Sequence, residues 1–146
     1  MTVQEISDRL EINDLLVRYT VALDTGQWDL LDSCFTADAH IDYKSSGGIE
    51  GAYPEVKEWL SKVLPTFSAM MHIISNSTVD LNGDRAAAKT YVLNPMQMRS
   101  KDASVTEFTV GAYYHDKLLR TDEGWRIEER VEEQVMVIGN SGGSPS

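Results

Sequence analysis

Apolar and polar positions follow two different rhythms along this chain, and the change comes near Pro65. Before it the spacing is helical. At about 100° per residue, Ile12, Leu15, Leu16, Tyr19 and Leu23 gather on one side of a helix. Leu10, Val17 and Val21 form a second apolar strip, so this helix is expected to touch more than one surface. Thr2 followed by Glu5 reads as a capping box that starts it near Val3, and Thr25-Gly26 weakens it. "QWDLLDSCF" predicts a second, short helix, "DAHIDY" a short strand and "SSGGIEG" a loop. "PEVKEWLSKVL" opens on a first-turn proline and stops before Pro65, which predicts a third helix.

After Pro65 the period falls to two, the spacing of strands. "FSAMMHIISNSTVDL" is the first, and "NGD" at Asn82–Asp84 is a hairpin turn. "RAAAKTYVLNPMQMRS" follows, with a bulge or bend expected at Pro95. "SVTEFTVGAYYHDKLLRT" and "WRIEERVEEQVMVI", joined at "DEG", complete the sheet. Helices first and long antiparallel strands after give the α+β class. Three helices against a strongly curved sheet predict a cone-shaped α+β barrel whose mouth is a natural ligand pocket. The 146 residues suit a single domain, placed at 1–138, with a flexible tail at 139–146.

Charge and cysteine content narrow the partners. The net charge is −10 with a pI near 4.6 and no basic stripe, which argues against nucleic acid and anionic membranes. Cys34 is the only cysteine, so no intrachain disulfide is expected; on the apolar side of its helix, it should be buried and unreactive. No apolar run approaches the roughly 18 residues of a membrane span. The acidic, amphipathic N-terminus does not read as a signal peptide, so a cytoplasmic protein is expected. The histidines form no H-x-H or H-E-x-x-H pattern, and neither metal nor cofactor is expected.

Candidate chemistry rests on few residues. His40 shares a strand face with Asp38 and Asp42, and His115 with Glu107, Thr109, Tyr113 and Lys117; both read as solvated. His72 differs, because Met70 and Ile74 share its face, Met71 and Ile73 line the other, and both faces read as buried. An imidazole there needs a partner, since an unpaired buried polar group costs roughly 1–3 kcal/mol. Asp24, at the end of the first helix, sits where the helix dipole is unfavourable to a carboxylate. His72 is a candidate partner for it. Tyr19, about 140° around the helix from Asp24, would border the same wide arc.

The run Tyr19-x4-Asp24, "GQWDLLDSCFTADAHIDY", His72 and "GWRIEERV" resembles the SnoaL-like branch of the nuclear transport factor 2-like superfamily, from about Glu5 to Val137. The resemblance is closest to scytalone dehydratase, bile acid 7α-dehydratase and hexachlorocyclohexane dehydrochlorinase. It implies an Asp24–His72 pair in which the histidine removes a proton, with Tyr19 donating to a leaving oxygen or enolate. It also implies a pocket arginine, matched at Arg130, with Arg126 close by. Leu16, Leu23, Met70, Ile74, Met96 and Met98 are the expected pocket walls. The implied activity is a cofactor-free, dehydratase-type elimination on a steroid, polyketide or aromatic ketone. An isomerase or cyclase with Asp24 as base is an alternative. So is a binding or assembly module like the small subunit of ring-hydroxylating dioxygenases. The apolar strands, exemplified by "YVLNPMQM" and "VEEQVMVI", predict a homo-oligomer through the convex outer face, with "IEERVEEQ" at its rim. The resemblance favours a trimer over a dimer.

Overall fold

Thr2 opens the long helix α1 (Val3–Thr25) with the expected capping box: its hydroxyl accepts from the Glu5 N–H at 3.1 Å, and the Glu5 carboxylate accepts from the Thr2 N–H at 2.7 Å. Gly26 ends it in the left-handed conformation, φ 67°, which costs least without a Cβ. This stop leaves Asp24 in the last turn. The computed structural model describes residues 1–139, so the expected tail lies outside the described residues from Asn140 onward. A 3-10 helix at Trp28–Ser33 replaces the second α-helix expected there. Then come β1 (Phe35–Asp42), a 3-10 turn at Lys44–Ser46, β2 (Glu50–Ala52) and α2 (Tyr53–Val63). The strands β3 (Ala69–Met70), β4 (Ile73–Asn82), β5 (Arg85–Arg99), β6 (Val105–Thr121) and β7 (Gly124–Gly139) follow.

All seven form one curved sheet in the order β2-β1-β7-β6-β5, with β3 and β4 successive along the far side of β5. The sheet is antiparallel except where β1 meets β7, which it pairs in parallel. No hairpin joins these two distant strands, so no tight turn imposes the antiparallel direction. The curl brings α1 against both β4 and β7. Its face of Ile12, Leu15, Leu16, Tyr19 and Leu23 is buried with Leu31, Phe35, Ile41, Leu118, Trp125 and Ile127. Each such large side chain contributes about 1.5–3 kcal/mol. Cys34 lies in this core, fully buried, and burial pushes its thiol pKa up.

Two expectations about apolar surface change. The second strip of α1, Leu10, Val17 and Val21, faces outward. The strand segment around His72 is buried on one side only: Met71 is 60% exposed and Ile73 43%. Ile73 pairs with Leu93, Leu93 with Gly111 and Gly111 with Met136, forming an apolar row across four strands of the outer face. Gly111 is where that row closes up: a Cβ there would sit 3.0 Å from the Met136 side chain.

Pro95 makes no bulge in the pairing of β5 with β6, which keeps one register from Arg85 to Arg99. The interruption falls instead on the neighbouring edge, between β3 and β4. The register is the same on both sides of the gap, Met70 opposite Met96 and Ile73 opposite Leu93. Met71 and His72 therefore lie opposite Pro95 and Asn94. The Met71 N–H still donates to the Pro95 carbonyl at 3.0 Å, but Pro95 has no N–H to return the bond.

Two ion pairs fasten the helix and the sheet. At one end Asp8 accepts two bonds from Arg120 (2.7 and 2.9 Å) and one from the Trp125 indole N–H (3.1 Å). In the core, Arg130 and Asp116 face each other across β6 and β7 through bonds of 2.7 and 2.8 Å. Arg130 is fully buried, with its guanidinium over the rings of Tyr114 (3.9 Å) and Tyr19 (4.3 Å).

Two stability predictions follow from these pairs. Asp116→Ala leaves a buried cation unpaired and should lower unfolding stability by about 3–5 kcal/mol in urea titrations. Bonding to Arg120 above all, with help from Trp125 and Gln4, lowers the Asp8 pKa from 3.8 to about 2 against the opposing effect of burial. The folded pKa is depressed, so this stabilisation is present above the unfolded pKa and is lost as pH falls from about 4 to about 2. Asp8→Asn should lack that component, and its urea midpoint should converge on the wild-type midpoint across that window.

Candidate active site

His72 occupies the gap between β3 and β4, and the strand geometry there decides what it can bond. N–H groups alternate sides along a strand. Met71 points its N–H at Pro95, so His72 points its own away from the sheet. There it meets Asp24, whose two oxygens lie 2.9 and 3.2 Å from that nitrogen. Asp24 also accepts from the ring, Oδ1 to Nδ1 at 2.7 Å. These donors answer the unfavourable helix end. The carboxylate accepts only, so Nδ1 carries the proton and Nε2 keeps its lone pair. The His72 side chain is 5% exposed and that of Asp24 26%.

His72 borders a cavity of about 250 Å³. Tyr19, Leu23, Trp59, Leu64, Phe67, Met96, Phe108 and Val110 supply most of its wall. Its polar groups are His72, Asn94, Tyr19, Tyr43, Tyr114, Ser46 and Glu132. The Tyr19 and Tyr43 hydroxyls are 2.5 Å apart, and burial raises both phenol pKa values well above the ordinary one. The Asn94 amide nitrogen lies 3.1 Å from Nε2 and donates to its lone pair, while Asn94 Oδ1 is buried without a partner.

The expected site residues divide accordingly. Tyr19, His72, Leu23 and Met96 line the cavity, and Asp24 stands behind His72. Arg130 is on the inner face, as the choice between it and Arg126 required, but it lies beneath Tyr19 and Tyr114 rather than at the cavity wall. Arg126 bonds the Trp125 carbonyl and neighbours Glu123. Four expected wall residues are elsewhere. Leu16 is sealed in the core one turn before Tyr19, Ile74 packs on the core from β4, and Met98 lies beyond, 38% exposed. Met70 instead lines a larger hollow of about 420 Å³ with Met71, Pro95 and Ile138. That hollow is the less suited to chemistry, because its one titratable side chain, Glu107, is already bonded by Gln97 at 2.6 Å. His40 and His115 are exposed and paired with Glu50 and Glu133.

Asn94, Tyr43, Tyr114 and Glu132 are additions that the sequence reading missed. Asn94 interrupts the apolar run "YVLNPM", a usable signal. Glu132 was hidden in "IEERVEEQ", read above as an interface rim. Glu129 and Glu133 of that run do pair outward, with Lys117 and His115, whereas Arg130 and Glu132 point inward. Among the described residues no cluster of three or more His, Cys, Asp or Glu is placed to hold a metal ion, and no helix is long and apolar enough to cross a membrane.

Comparison with known proteins agrees with this architecture. An uncharacterized protein of Mycobacterium tuberculosis is 46% identical over 132 residues, covering 90% of this chain and 88% of its own. A crystal structure from Novosphingobium aromaticivorans, of a protein described as an aromatic ring hydroxylase, superposes with a TM-score of 0.80 at 30% identity over 92% of this chain and 94% of that one. A hexachlorocyclohexane dehydrochlorinase, LinA type 2, shares the fold with a TM-score of 0.81 at 19% identity, over 97% and 95% of the two chains. The SnoaL-like domain model matches residues 4–131, and the chain belongs to that family.

Proposed function

We propose that this chain is a cofactor-free lyase that eliminates water, or another leaving group, from a small hydrophobic molecule by abstracting a carbon-bound proton. The observation that carries this reading is the setting of His72: Nδ1–H is bonded to Asp24, and the ring lines the cavity with Nε2 beside Asn94, another lining residue. His72 takes the proton, and Asp24 fixes the tautomer and stabilises the imidazolium. The Nε2 lone pair must first release Asn94, at a cost of about 1 kcal/mol. Tyr19, backed by Tyr43, donates a hydrogen bond to a carbonyl or enolate oxygen. Arg130 acts from beneath as a positioning residue, stacked on the Tyr19 and Tyr114 rings. The likeness to LinA, a dehydrochlorinase, supports an elimination.

The cavity volume supports the aromatic ketone among the expected substrates. At about 250 Å³ it lies below the roughly 300–1,000 Å³ typical of drug-sized ligand sites, which suits a one-ring compound better than a steroid. Asp24 as the base is less well supported, because it is not in the cavity wall and both its oxygens serve His72. A non-catalytic assembly subunit is the second reading, favoured by the 30% identity to the protein described as an aromatic ring hydroxylase. We also propose a homo-oligomer formed through the apolar row Ile73, Leu93 and Met136 on the outer face, with a trimer favoured.

The β-hydroxy ketone formed from benzaldehyde and acetone is a suitable probe, since its dehydration gives a conjugated enone visible in the ultraviolet. His72→Ala should lower kcat/KM by about 10²–10⁴-fold. An unchanged rate in that variant would refute the mechanism. Absence of turnover by wild type across a panel of such ketones would favour the assembly subunit. For the oligomer, light scattering should give a multiple of the 16.3 kDa chain mass, and Leu93→Glu should reduce it. A monomeric wild-type mass would refute the interface.

A further inference from the structure

Among the described residues, Glu132 is the one carboxyl side chain in the wall of the proposed catalytic cavity. Its strand is held firmly at this point: the Ser45 hydroxyl donates to the Glu132 carbonyl at 2.8 Å and accepts from the Gln134 N–H at 2.9 Å. Across the sheet Glu132 pairs with Tyr114, another cavity residue. The nearest buried cation, Arg130 on the same strand, is already matched by Asp116 through two bonds. Arg130 is thus taken up by Asp116, and a charged Glu132 would be left without a dedicated counter-charge. A carboxyl in such a place keeps its proton more readily than one in water. Burial does raise the Glu132 pKa, and Asp42 adds to the rise; the Ser46 hydroxyl, Arg130 and His72 oppose it with smaller effects.

We propose that Glu132 is the proton donor of the cavity, protonating the departing oxygen while His72 removes the carbon-bound proton, so that the site selects an uncharged, hydroxyl-bearing substrate. The proposal rests on the lyase reading above. In the step, the C–H electron pair forms the C=C bond as the proton passes to Nε2. The C–O bond breaks with its electrons going to oxygen, which takes the Glu132 proton and leaves as water. Imidazolium and carboxylate remain, and transfer of the proton from Nε2 to the Glu132 carboxylate, directly or through the product water, restores both groups. Tyr19 keeps the role of hydrogen-bond donor. Its hydroxyl, raised in pKa by burial, is a poorer acid for this transfer than a carboxyl. A carboxylate-bearing substrate would place its charge against Glu132, with the Arg130 guanidinium already bonded to Asp116.

The test compares wild type, Glu132→Gln and His72→Ala on the β-hydroxy ketone and on its acetate ester, whose leaving group needs no proton. Glu132→Gln should lose about 10²–10⁴-fold in kcat on the alcohol and at least ten times less on the ester. His72→Ala should lose activity on both. Equal losses on the two substrates in Glu132→Gln would overturn the donor role and indicate a structural one. Full activity of His72→Ala would instead overturn the lyase reading. The acid form is the working one, so the wild-type rate on the alcohol should fall as pH rises through the Glu132 pKa, a limb absent from Glu132→Gln. Infrared difference spectra between wild type and Glu132→Gln read the proton without turnover. A protonated-carboxyl band that persists above the ordinary glutamate range and is missing from Glu132→Gln supports the proposal, and its absence overturns it.

Discussion

One carboxylate holds the site together. Asp24 receives both the main-chain and the ring N–H of His72, across 48 residues of sequence. Neither residue could be left alone. Asp24 stands at the negative end of a helix, and His72 stands where the ladder between β3, β4 and β5 is broken. Each supplies what the other lacks: donors for an awkward anion, and an acceptor for two N–H groups that the sheet does not use. The same contact fixes ring orientation, tautomer and the distance between helix and sheet edge. It turns a packing requirement into an oriented imidazole.

The other end of α1 makes this possible. Asp8 ties it to Arg120 and Trp125, and Glu11 accepts from the Trp125 N–H. A helix fixed at its start by ion pairs and at its end by His72 behaves as a strut inside the curled sheet. Tyr19, one turn before Leu23, thereby reaches the cavity from a rigid element, as do Glu132 and Tyr114 on paired strands. The polar groups of the cavity thus stand mainly on regular structure, which can hold a group to within a fraction of an ångström.

The elements were legible in the sequence because local signals agreed with the fold: Thr2 and Glu5, Gly26, Pro54 and the turn at Asn82–Asp84 each act within a few residues. The pairing of Asp24 with His72 was also legible, because each is conspicuous in its own setting. Glu132 was not, since a charged run reads as solvated until the strand's phase is known. That phase shifts at two irregularities in the pairing of β6 with β7. The second, between Gln134 and Met136, moves Met136 to the outer face while Glu132 stays inward. Leu16 and Met98 were misplaced for a related reason. Periodicity shows that a side chain is inside or out, but whether an inside position meets cavity or core depends on depth along the barrel.

Pro95 carries a consequence beyond the site. An edge strand exposes unpaired N–H and carbonyl groups that can template another chain. Here β2 forms one edge of the sheet and β3 with β4 the other, and this second edge is cut where Pro95 withholds its bond. The one outward N–H at the cut is covered by Asp24. The carboxylate that orients the His72 ring therefore also guards this edge against strand addition, so loss of Asp24 should be felt as a tendency to aggregate as well as a loosened imidazole.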